Sequence, residues 1–190
     1  HLKEQIAENM KSSIPSHDTV EYAFQELKTP NDVIITENNI VHQINHNKRI
    51  NNLLLGICVD LKLLKSDIKD YVLDFDNVVW NNDKQDAETS YKMTKAYHPC
   101  FANIGNTTVY FENRNGNTPA KYAQTQALKN CFDNLKTNKI NIKSFRGDSA
   151  SYQKEVFDVL EKNVTHFYVR NITSAGFRNI CIDQENWENV

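Results

Sequence analysis

The sequence predicts a mixed α/β (α+β) domain whose elements run β-β-β-α-β-α-β behind a helical N-terminal segment. Three observations carry this. The β-rich run at 71–79 has apolar residues at both parities, as a strand buried on two faces does. Two apolar runs flank Gly105-Asn106, a two-residue hairpin signal. Downstream of these, helical and strand periodicities alternate twice.

Taken in order, Ser16 is placed to cap a helix carrying Val20, Phe24 and Leu27 on one face, and Pro30 breaks it. Residues 31–47 are polar and carry no readable pattern. Ile50, Leu53, Leu54, Ile57, Leu61 and Leu64 then repeat at helical spacing, which predicts a helix with that stripe toward the core. The strand at 71–79 follows, then a polar stretch at 81–97. The predicted hairpin pairs 99–104 with 107–112, and 113–117 read as a loop. Thr118-Pro119 reads as a cap and first helical residue for a helix running to about residue 138, with Ala120, Ala123, Ala127, Leu128, Cys131, Phe132 and Leu135 on its apolar face. A short strand at 140–146 ends at Gly147-Asp148. Ser149 or Ser151 is expected to cap the next helix, and 165–169 form the last strand. A three-strand meander followed by two αβ units is the order of a ribonuclease-H-like mixed sheet. A doubly wound nucleotide fold would place a helix after its first strand. The expected division is a helical segment at 1–66 and the sheet domain at 67–190.

Composition narrows the classes. With 190 residues, 39% of them hydrophobic and 24% charged, the chain is long enough and apolar enough for one ordinary folded domain. No run reaches the roughly 18–20 apolar residues of a membrane span. The four cysteines, Cys58, Cys100, Cys131 and Cys181, are too scattered for a disulfide framework or a CxxC zinc site, and they suit a reducing cytosol. The chain opens His1-Leu2-Lys3-Glu4, without a secretory pattern or an initiator methionine, so a fragment of a cytoplasmic protein is expected. The net charge of −2 hides two blocks: seven acids against two bases at 66–88, and seven bases against one acid at 114–146. Such blocks fit a metal site beside a polyanion track, or two solvated faces of opposite sign.

The chemistry centres on three acids. Asp74 and Asp76 lie two apart on the predicted central strand and so share one face. Like charges on a buried strand repel, and a divalent cation would offset that. Asp148 follows a strand, and if the two strands are neighbours it meets the acidic pair. Carboxylate oxygens suit Mg²⁺ or Mn²⁺, and two such ions can activate one oxygen and stabilise another in phosphodiester chemistry. One strand-end acid and two ordinary caps would look the same in sequence.

The stretches YVLDFDNVVWNNDKQDAETSYKMTKAYHP, GNTTVYFENRNGNTPAKYAQTQALKNCFDNL and IKSFRGDSASYQKEVFDVLEKNVTHFYVR, in that order, resemble the catalytic core of insertion-sequence DDE transposases, which are cut-and-paste enzymes. The upstream SSIPSHDTVEYAFQELK and NHNKRINNLLLGICVDLKLL resemble the helical segment before that core. The resemblance implies a two-ion Mg²⁺ (or Mn²⁺) site. It assigns the first catalytic acid to Asp76 and the second to Asp148, with Asp74 as a flanking acid that can join as a metal ligand. The third acid, a glutamate on a downstream helix, has no matching motif. Glu185 and Glu188 are late enough in order but lie in the wrong context, so the chain is expected to stop short of it. The implied partner is double-stranded DNA, as transposon ends and target, bound by a homodimer and with no membrane. The implied location is the bacterial cytoplasm at the nucleoid. Arg114, Lys121, Arg146 and Arg170 are the candidate phosphate-binding residues. Trp80 reads as a stacking platform or a rim core residue, and His98 and His166 read as structural.

Two alternatives stay open. Asp74-Phe75-Asp76-Asn77-Val78 also fits the DxDx(T/V) pattern of haloacid-dehalogenase-like phosphatases, with Asp74 as nucleophile and Asp76 as acid/base. A non-catalytic DNA-binding relic of a transposase is the other.

Overall fold

A computed structural model describes residues 15–171 and 174–183. The chain begins with α1 (His17–Glu26), capped by the Ser16 hydroxyl on the Thr19 amide as expected. The unpatterned segment 31–47 folds into an antiparallel hairpin, β1 (Asp32–Ile35) and β2 (Val41–Asn45). Helix α2 (Lys48–Asp60) follows, capped by Asn47.

The stripe on α2 is a correction. Its buried residues are Asn51, Leu55 and Cys58, whereas Leu53, Ile57 and Leu61 are exposed. The reason is polar. The Asn51 side chain bridges the backbone of Phe111, donating to its carbonyl and accepting from its amide, both at 2.8 Å. Two bonds to a strand edge set the rotation of the helix, and the leucine stripe yields.

Strand β3 (Tyr71–Asn77) is central as predicted. The polar stretch after it forms a small separate sheet of β4 (Trp80–Asn81), β5 (Glu88–Thr89) and β6 (Lys95–Tyr97), ordered β4-β6-β5. Trp80 lies there 61% exposed, so it is not a rim core residue. The hairpin of β7 (Cys100–Ile104) and β8 (Thr107–Arg114) turns at Gly105-Asn106, and Gly105 takes the φ of +57° that a two-residue loop demands. β8 runs past the expected loop boundary, because Asn113 and Arg114 pair with Asn45 and Ile44 of β2.

Thr118-Pro119 does not start a helix. Thr118 is buried, its hydroxyl bonds Asn115 at 2.6 Å, and 119–122 form a turn. The helix α3 (Gln124–Thr137) begins only after Ala123, which is left-handed at φ 51°. After α3 come β9 (Ile142–Gly147), a 3₁₀ turn (Ser149–Ser151), α4 (Lys154–Leu160), β10 (His166–Val169) and α5 (Ala175–Ile182). The expected serine cap is also corrected: α4 has Gln153 at its N-cap with no side-chain cap bond, and Asp148 caps the 3₁₀ turn before it, accepting from the Ala150 amide.

The main sheet runs β1-β2-β8-β7-β3-β9-β10. β3 pairs antiparallel with β7 and parallel with β9, and β10 pairs parallel with β9. From β8 to β10 this is the mixed sheet of a ribonuclease-H-like fold, and β3 is followed by a hairpin rather than the helix a doubly wound phosphatase sheet requires. The core gathers Leu73 and Phe75 of β3, Leu55 and Cys58 of α2, Leu128, Cys131, Phe132 and Leu135 of α3, and Val156 and Leu160 of α4. Among the described residues no helix is long and apolar enough to cross a membrane.

Candidate functional site

Two parallel strands, β3 and β9, finish at the same end of the sheet, and the candidate acids lie there. The final register pair of β3 and β9 is Phe75 opposite Gly147. Asp76 is the next residue on β3 and Asp148 the first residue beyond β9, and the two strands run ~5 Å apart. Asp148 remains extended, with φ −76° and ψ −171°. Each carboxylate is oriented by a backbone amide: Asp76 Oδ1 accepts from Asn77 N at 2.7 Å, and Asp148 Oδ1 accepts from Ala150 N at 3.0 Å. The second oxygen of each has no hydrogen-bond partner among the described residues. Two oriented carboxylates with open oxygens fit a hard divalent cation as part of its ligand set, the remainder coming from water or substrate oxygen. Among the described residues no cluster of three or more His, Cys, Asp or Glu is placed to hold a metal. Glu185 and Glu188 lie outside the described residues.

Asp74 is paired differently. It stands opposite Arg146 in the β3–β9 register, and the guanidinium grips both its oxygens, at 2.5 Å and 2.7 Å. This bidentate pair holds the Arg146 guanidinium above its usual range, by hydrogen bond and charge together. It also gives both Asp74 oxygens a hydrogen-bond partner, where the open oxygens of Asp76 and Asp148 have none.

Arg114 is a plain correction. It is fully buried and reaches no solvent-borne phosphate. Its Nε donates to Glu112 Oε1 at 2.9 Å and its Nη1 to the Tyr122 carbonyl at 2.6 Å. Nη2 lies 2.7 Å from the same Glu112 oxygen but off the hydrogen-bonding angle, so that contact is ionic only. Glu112 also accepts from the Tyr110 hydroxyl at 3.0 Å, and that hydroxyl meets His46 Nδ1 at 2.9 Å. Burial beside Glu112 pushes the Tyr110 phenol far up, and burial lowers His46 against the opposing pull of Glu112. This is a structural network, closed by β2 pairing with the end of β8.

The other two candidate bases are exposed. Lys121 is exposed and lines a cleft of about 440 Å³ together with Asp148. Arg170 is exposed just past β10, its amide bonded to the Gly147 carbonyl beside the acids.

Three further residues at the cleft were not singled out from the sequence as site residues. Asn77 and Tyr91 line it, as does His98, which is 3% exposed. Asn77 is adjacent to Asp76 and could be suspected from that alone. Tyr91 and His98 come from the small sheet and its flank, and no spacing marks them.

No protein-family model matches the chain, and no curated protein matches it. Among solved structures it is similar to the Mos1 strand transfer complex, at 17% identity and a TM-score of 0.37 over 87% of this chain and 53% of that one. It is similar to the Mos1 mariner paired end complex with Mn at 16% identity and a TM-score of 0.38, over 86% and 53%. A third similarity is to the simian T-cell lymphotropic virus intasome in complex with PP2A regulatory subunit B56 gamma, at 9% identity and a TM-score of 0.36, over 60% and 38%. The chain spans about half the length of the mariner chains it matches.

Proposed function

We propose that this chain is part of the catalytic core of a DDE transposase, acting on duplex DNA at transposon ends with Mg²⁺ or Mn²⁺. The observation that carries the reading is the parallel β3–β9 pairing in a ribonuclease-H-like sheet: Asp76 follows its last register pair on β3, and Asp148 directly follows β9. Asp76 and Asp148 would hold the cation, which when bound polarises a phosphate oxygen and lowers the pKa of water. The Asn77 and Ala150 amides each hold one carboxylate oxygen and leave the other for the ion. Arg146 neutralises Asp74, so the edge does not carry three uncompensated anions. Lys121 and Arg170 supply positive charge for the DNA backbone. The reaction is hydrolysis of a phosphodiester at the element's end, followed by attack of the freed 3′-hydroxyl on a target phosphodiester. The third carboxylate that the reading requires is not among the described residues.

Mn²⁺ titration by calorimetry tests this. Asp76→Asn and Asp148→Asn should each weaken binding by about tenfold or more, since each removes a charged ligand. Asp74→Asn should leave Mn²⁺ affinity intact. Mn²⁺ binding that is indifferent to Asp76 and Asp148 refutes the reading, and loss confined to Asp74→Asn supports a phosphatase instead.

A further inference from the structure

Among the described residues the main sheet ends in an open strand. β1 pairs with β2 on one side and has no strand on the other. The hydrogen bonds fix which of its backbone groups are left over. The Thr36 amide donates to the Ile40 carbonyl at 2.9 Å and closes the hairpin. Gln43, opposite Val33, turns away from β1: its carbonyl accepts from the Asn115 amide at 3.0 Å, and its amide donates to Asn115 Oδ1 at 2.9 Å. Antiparallel bonding alternates, so Asp32 and Ile34 bond β2, and the amides and carbonyls of Val33 and Ile35 point out of the sheet. The side chains of Val33 and Ile35 share one face with Val41, and they are 60% and 65% exposed. Exposed edges are normally blunted by lysine, proline or a bulge. Val33-Ile34-Ile35 has none of these. The opposite edge strand, β10, exposes His166 and Tyr168 and is followed by Arg170.

An open ladder takes an extended strand, and a second copy of β1 supplies one that fits. We propose that the chain self-associates by antiparallel pairing of β1 with β1 of a second copy about a twofold axis. Within the strand, one register uses every outward group. It sets Val33 opposite Ile35 of the second copy, sets Ile35 opposite the second copy's Val33, and places Ile34 on the axis. About four inter-chain backbone hydrogen bonds form, two at each Val–Ile pair. Val33, Ile35 and Val41 of both copies then join into one aliphatic face. Asp32, the charged residue of the strand, stands opposite Thr36 of the second copy rather than opposite itself, so no like charges meet. The twofold covers the β1 edge of both copies at once. The contact is small beside the ~1,200–2,000 Å² of standard stable complexes, so the dimer dissociates on dilution. This association needs neither DNA nor metal and stands apart from the transposase reading.

The test is sedimentation velocity of the whole chain over a concentration series, without DNA or divalent ion. The wild type should pass from monomer to dimer as concentration rises. Val33→Pro removes an outward amide while sparing the bonds to β2, and should weaken association about tenfold or more. Ile35→Lys should do the same by placing a charge in the aliphatic face. Circular dichroism checks that both variants fold. Cross-linking reads the register without touching the ladder. Cys58, Cys100 and Cys131 are buried, so a Cys181→Ser background leaves no exposed thiol among the described residues. In it, Ile34→Cys should form a disulfide with its own copy under mild oxidation, since residues facing each other across the axis have Cα atoms ~4.5 Å apart. Val33→Cys should not, because its own mate lies beyond the ~7 Å limit. A wild type that stays monomeric, a dimer indifferent to Val33→Pro and Ile35→Lys, or cross-linking at Val33→Cys and not at Ile34→Cys overturns the proposal. The Mn²⁺ titration is read separately. A monomer that holds Mn²⁺ through Asp76 and Asp148 sinks only this inference, whereas a β1-paired dimer with no Mn²⁺ site sinks only the catalytic reading.

Discussion

Replacing Arg114 separates a structural role from a DNA-binding one. The side chain is fully buried, and its bonds to Glu112 and to the Tyr122 carbonyl are made inside the protein. Arg114→Ala leaves the Glu112 carboxylate, 3% exposed, without its counter-ion. Breaking a buried pair from one side costs about 3–5 kcal/mol, because the remaining charge stays desolvated. A domain of this size has roughly 5–15 kcal/mol of stability in all, so the loss is a large share of it. At about 2–4 °C per kcal/mol, the thermal midpoint should fall by roughly 6–20 °C. The assay is circular dichroism melting, paired with duplex binding measured well below the midpoint. Glu112→Leu/Arg114→Met should recover most of the loss, since no unpaired charge remains and the Tyr110 hydroxyl, released from Glu112, can turn its hydrogen to His46. A variant that keeps its midpoint while losing DNA affinity would refute the argument and return Arg114 to the phosphate-binding set.

Gly147→Ala should destabilise by about 1–3 kcal/mol, because a Cβ there meets the Ser151 hydroxyl at 2.6 Å and the Phe145 ring at 2.9 Å in a packed core. Urea denaturation checks it, and a neutral result would show that the turn after β9 yields freely. His46 has its pKa lowered mainly by burial, so the unfolded chain takes up a proton at this residue before the folded one does. Its contribution is therefore present above the ordinary value of 6.5 and lost as the pH falls below it, and His46→Gln should flatten that part of the stability profile. Duplex DNA should bind weakly, with a log–log salt slope of about −1.8 if Lys121 and Arg170 are the two phosphate contacts, and Lys121→Gln should reduce it by about 0.9. A slope unchanged in that variant places the contacts elsewhere. The 190-residue chain should not cut DNA in Mg²⁺ or Mn²⁺. Metal-dependent scission lost on Asp76→Ala would locate a third acid within it, with Glu185 and Glu188 the first to mutate.

The sequence by itself determined the elements whose signal is local. The apolar run of β3, the Gly105-Asn106 turn and the two αβ units are each set by short-range periodicity and turn chemistry, and their order specifies the sheet. Asp76 and Asp148 followed from that order, because both sit at the ends of strands expected to be neighbours. Only the tertiary structure decided what depends on register between distant segments. Asp74 and Arg146 are 72 residues apart, and the register joins one candidate ligand to one candidate DNA contact in an ion pair. Arg114 is buried because the 31–47 hairpin, which has no pattern to read, lengthens β8 by pairing with its end. The Asn51 bridge to Phe111 overrides the leucine stripe of α2. Likewise Thr118 bonds Asn115 and offers its carbonyl to His98 instead of capping a helix. In each case a polar side chain is satisfied by a partner that local sequence does not name. A buried polar group left unpaired costs more than a propensity is worth, so the long-range partner prevails over the local pattern.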